Sequence, residues 1–106
     1  MKYNLLNIAV FKELPKIIKY LYTILGNYEY FNSKSIEIIV NMTVIVLNNT
    51  ADIILPNGEL IGAGTYACRK SIKDGVTCDN LRDFIILIES IRKEILNNDW
   101  YLLQSK

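Results

Sequence analysis

The run Ile36-Glu37-Ile38-Ile39-Val40-Asn41-Met42-Thr43-Val44-Ile45-Val46-Leu47 holds eight β-branched residues in twelve. Branching at Cβ stiffens χ1 and favours a pleated strand over a helix. With a period of two, Ile36, Ile38, Val40, Met42, Val44 and Val46 share one face. The other face carries Glu37, Asn41 and Thr43, but also Ile39, Ile45 and Leu47. The run reads as a long strand with both faces partly covered toward its end.

Downstream, Asn48-Asn49 can supply the positive φ angles of a tight hairpin turn. Asp52–Leu55 then returns as a second strand. Pro56-Asn57-Gly58 is a strong turn signal: Pro presets the first position, Asn tolerates the second and Gly takes a left-handed one. Glu59–Ala67 follows as a third strand. Upstream, Tyr3, Leu6, Val10, Leu14, Ile17, Leu21 and Ile24 recur every three or four residues, which predicts a helix. Pro15 removes a backbone donor and divides it into two pieces, the alternative being a strand over Tyr3–Phe11. Gly26-Asn27 is the stop. After a polar loop from Arg69 to Asp79, a last helix runs from Asp79 or Asn80 to Leu96, with Leu81, Phe84, Ile85, Ile88, Ile91 and Ile95 on its buried stripe. The predicted fold is a single α+β domain over residues 1–106. Its order is α-β-β-β-α, an antiparallel three-stranded meander with helices packed on one face.

Composition bounds the function. A domain of 106 residues hides roughly 60–70% of the surface its unfolded chain exposes, yet 51% of this chain is hydrophobic. Its mean hydropathy is +0.18. Either the core is unusually rich, or part of the surface is apolar and covered by another chain. Twelve Lys and Arg against eleven Asp and Glu leave a net charge of +1, without the basic excess on which duplex nucleic-acid binders rely. Nucleic acid is not the favoured partner. The richness in Ile, Asn, Lys and Tyr matches AT-rich codons, so a low-GC bacterial or viral genome is expected. The N-terminal residues do not read as a secretory signal, and Ile36–Leu47 is too short and too polar for a membrane span. A cytoplasmic protein with no membrane partner is expected.

The sequence has no His. That removes Ser-His-Asp and Cys-His nucleophile systems and the commonest transition-metal ligand. Two Cys without His do not make a zinc site, so neither metal nor cofactor is expected, and no catalytic residue is assigned. Asp79, Asp83, Glu89 and Glu94 are read as carboxylates serving the last helix, where acidic residues near the start offset the macrodipole. Cys68 and Cys78 are ten residues apart. Free thiols, a disulfide closing the loop, and a reactive Cys78 at a helix start all remain open.

Two candidate surfaces remain. Gly62, Gly64 and Thr65, followed by Arg69, Lys70 and Lys73, combine close-approach backbone, a hydroxyl and three cations. They could hold a phosphate-bearing ligand, RNA or a small nucleotide. The other candidate is an apolar interface including Tyr30, Phe31, Ile86, Trp100, Tyr101 and Leu103, which predicts a homo-oligomer, most simply a twofold dimer. The expected function is a small non-catalytic interaction protein, self-associating and binding a protein partner, such as a phage or viral accessory factor. The phosphate-ligand module is the alternative.

Overall fold

A computed structural model describes residues 2–97. The chain runs β1 (Lys2–Leu5), α1 (Ile8–Phe11), α2 (Leu14–Gly26), a short 3-10 turn (Tyr28–Tyr30), α3 (Ser33–Thr50), β2 (Ala51–Ile54), β3 (Leu60–Gly62), α4 (Ala63–Ser71) and α5 (Cys78–Leu96). The α+β class holds, with three antiparallel strands in the order β1-β2-β3. Helices cover one face of the sheet. Tyr3, Leu5, Ala51 and Ile53 point into the core, while the alternating Lys2, Asn4, Asp52 and Ile54 do not. The α5 stripe is as predicted: Leu81, Phe84, Ile85, Ile88, Ile91 and Ile95 are all buried. The Pro56-Asn57-Gly58 turn also forms. Gly58 N–H donates to the Leu55 carbonyl at 2.8 Å, and Gly58 sits at φ +87°.

Three segments differ from the sequence reading. The largest difference is Ile36–Leu47, which is helix and not strand. A twelve-residue strand needs neighbours of comparable length to pair its backbone groups, but β2 offers four residues and β3 three. A helix pairs those groups internally. It also buries Ile36, Val40, Thr43, Leu47 and Thr50, a 4-3-4-3 spacing along one stripe. The β-branched residues cost helix propensity about 0.5 kcal/mol each relative to Ala, whereas burying one large apolar side chain stabilises by roughly 1.5–3 kcal/mol. Burial wins. The Asn32 side chain caps the start by accepting from Ser35 N–H at 2.7 Å. The Thr43 and Thr50 hydroxyls donate to carbonyls four residues back, so neither buried polar group is orphaned. Asn48-Asn49 consequently lies in the last turn of this helix and makes no hairpin.

The second difference is Glu59–Ala67. It pairs only through Gly62, where the register with Asp52 ends, and then coils into α4. The third is the N-terminus. The helical preference for its first residues gives way to β1, which pairs with β2 from Lys2↔Ile54 to Leu5↔Ala51. Helix begins only after Asn7, whose side chain accepts from Ala9 and Val10 N–H at 3.1 and 3.3 Å. The two helical pieces exist, with Pro15 in the first turn of α2, where a missing donor costs nothing. In α2 the predicted Leu14, Leu21 and Ile24 are buried together with Ile18, while Ile17 is partly buried against the core; Leu6, between β1 and α1, is exposed.

Candidate functional site

Because α3 is a helix, its third side faces away from the core. Ile38, Met42 and Ile45 stand on that side at i, i+4 and i+7, with exposures of 54%, 60% and 61%. From Ile38 to Thr50 the helix carries no charged residue. Ordinary solvated helix faces are charged. This ridge borders a groove of about 350 Å³ between α3 and α2, lined by Lys16, Ile17, Tyr20, Ile39, Met42 and Val46.

The direction of the two helices follows from the chain path. Leu6 and Asn7 donate backbone N–H groups to the Thr50 carbonyl at 3.0 and 3.4 Å. The chain thus enters α1 and α2 beside the C-terminal end of α3. It returns along α2 to the 3-10 turn that leads into α3. Lys16, early in α2, accordingly flanks the C-terminal half of α3, while Glu37 stands exposed near the start of α3.

The loop residues singled out from the sequence are divided between the two ends of α4. Gly62, Gly64 and Thr65 serve its docking onto α3. A Cβ on Gly64 would strike the Val44 backbone, and one on Gly62 would strike the Asn48 side chain. Thr65 is held by Asn48 through both its N–H and its hydroxyl. Arg69 and Lys70 occupy the last turn, where cations suit the helix dipole, and Lys73 lies beyond it. A nine-residue helix spans about 12 Å, so the glycines and the cations do not converge.

Three of the four α5 carboxylates have structural partners. Asp79 pairs with Arg82 at 3.1 Å, and Glu89 accepts the Tyr22 hydroxyl. Glu94 accepts the Tyr3 hydroxyl at 2.9 Å. Burial first, and then that hydrogen bond, push the Tyr3 phenol well above its ordinary pKa. Cys68 and Cys78 are free, half-buried thiols. Among the described residues, no group of three or more His, Cys, Asp or Glu could hold a metal ion, and no helix is long and apolar enough to cross a membrane.

No family model, curated protein or solved structure matches this chain. Of the predicted interface residues, Tyr30 is 80% exposed in the 3-10 turn. Phe31 packs partly against the core, and Ile86 is exposed on the outer side of α5. Trp100, Tyr101 and Leu103 lie outside the described residues. The α3 ridge was missed because its residues were assigned to a strand. The available signal was the charge-free run after Glu37, read at a period of 3.6.

Proposed function

We propose that this protein is a non-catalytic interaction protein that works as a homodimer, with the α2–α3 face as its self-contact. The uncharged ridge Ile38-Met42-Ile45, beside an apolar groove of its own, carries this reading. A twofold axis near Met42, running across α3, lays the ridges of the two copies on one another and hides the same patch twice. With the two α3 helices antiparallel across that axis, Ile38 of one copy meets Ile45 of the other. No like charges are brought together at the centre, in keeping with the charge-depleted cores of protein interfaces. The absence of His supports a role without imidazole chemistry.

Light scattering coupled to size exclusion tests the reading. Wild type should run at twice the 12.2 kDa chain mass, and Met42→Lys with Ile45→Lys should give a folded monomer by circular dichroism. A wild-type monomer at high micromolar concentration sinks the dimer. A double variant that still dimerises shows that the contact lies elsewhere.

A further inference from the structure

A cleft of about 700 Å³ opens at the other end of the molecule, between the β2–β3 hairpin, the start of β1 and the outer side of α4. The hairpin residues Ile54, Leu55 and Pro56 line it together with Tyr66, Lys2 and Lys70. The size falls in the range of small-ligand sites. Its chemistry is one-sided: among the described residues, two ammonium groups and no carboxylate line it. Among the described residues, neither Lys2 nor Lys70 belongs to a salt bridge.

The fold fixes this arrangement. Lys2 is placed by its strand register opposite Ile54. Tyr66 and Lys70 are one helical turn apart on α4, with the Lys70 Nζ 5.6 Å from the centre of the Tyr66 ring. That cation–π contact restrains a side chain that would otherwise wander, which lowers the cost of using it to hold a ligand. The hairpin side is apolar because Ile54 ends β2 facing away from the core and Leu55 and Pro56 lead into the turn.

We propose that this cleft binds an amphipathic anion, an apolar acyl or aryl body carrying one oxyanion head, with Lys2 and Lys70 holding the head. The body lies against Ile54, Leu55 and Pro56 and faces the Tyr66 ring. Each ammonium donates charge-assisted hydrogen bonds to the head. The site is separate from the α2–α3 face and does not depend on dimerisation.

Titration of the full chain with decanoate, followed by NMR, tests the proposal, with inorganic phosphate as the bodiless head. Decanoate should bind saturably and shift resonances of Ile54, Leu55 and Tyr66. Lys2→Gln with Lys70→Gln should weaken it about tenfold, both positions being exposed and the fold unaffected. Met42→Lys should leave decanoate binding as it is. Unchanged binding in the double lysine variant, no saturable binding, or loss of binding in Met42→Lys each overturns the site. So does phosphate binding as tightly as decanoate, because the apolar wall would then contribute nothing.

Discussion

Asn48 on α3 and Thr65 on α4 hold one another through two hydrogen bonds: Thr65 N–H donates to Asn48 Oδ1 at 2.9 Å, and Asn48 Nδ2 donates to Thr65 Oγ1 at 3.0 Å. The residue at the N-cap of α4 is Gly62, which has no side chain with which to cap. Asn48 performs that task from a neighbouring helix, seventeen residues back in the chain.

Replacing Asn48 by Ala should therefore destabilise by about 1–2 kcal/mol, because it removes a cap and leaves Thr65 N–H partly buried without an acceptor. Asn48→Asp keeps the acceptor and should cost less. Urea denaturation of Asn48→Ala, Thr65→Ala and the double variant measures the coupling. Strictly additive losses would show that the two residues do not act together.

Glycine substitutions should separate by position. At Gly64 a methyl group meets the Val44 backbone, which cannot rotate away. Gly64→Ala should cost at least about 1–3 kcal/mol by forcing α4 off α3. Gly26 ends α2 with nothing within 4 Å of an added Cβ. Gly26→Ala should be neutral or stabilise by up to about 1 kcal/mol. Thermal melts of the two variants are expected to move in opposite directions from wild type, or at least to differ by several degrees.

Charge exchange tests the centre of the dimer. Ile38→Lys places a charge against Ile45 of the other copy and should raise the dimer dissociation constant about tenfold or more. Adding Ile45→Glu to the same chain should recover part of the loss at low salt. Sedimentation of the three proteins at two salt concentrations reads the effect. No recovery by the second substitution would reject the antiparallel arrangement of the two α3 helices.

Alkaline pH should act through Tyr3. Its phenol titrates higher in the folded chain than the ordinary 10.0 of an unfolded one. The stabilisation tied to the neutral phenol is thus complete below about pH 10 and is lost as pH rises further, because the unfolded chain ionises first. Denaturation midpoints should fall between pH 9 and 11.5 in wild type. The fall should be shallower in Tyr3→Phe, which starts lower for want of the Glu94 hydrogen bond. Parallel curves would mean that Tyr3 ionises as freely folded as unfolded.

Much of this fold is legible in the residues, and the failures have definite causes. α5 can be read position by position because its apolar residues follow a single period and Thr77 and Asn97 bound it. The Pro56–Gly58 turn is local chemistry and reads equally well. α3 misleads because Ile, Val and Thr satisfy two periods at once: alternation favours a strand, while Ile36, Val40, Thr43, Leu47 and Thr50 fit a helix. The choice rests on partner length, a property of distant segments. α4 is harder still, since Gly62-Ala63-Gly64 is poor helix material and its cap comes from Asn48. The loop cations are visible in sequence, but it is the sheet register and the position of α4 that bring Lys70 and Lys2 to the lining of one cleft.

The sheet has a temporal side as well. On the ribosome Lys2–Leu5 is made some fifty residues before Ala51–Ile54, its partner strand. Between them lie α1, α2 and α3, which close their own backbone bonds and can form as they emerge. The four-residue edge strand must wait, unpaired, until the central strand has left the exit tunnel. Helices first and sheet last is the order this connectivity imposes, and joining β1 to β2 is the long-range step that sets the pace.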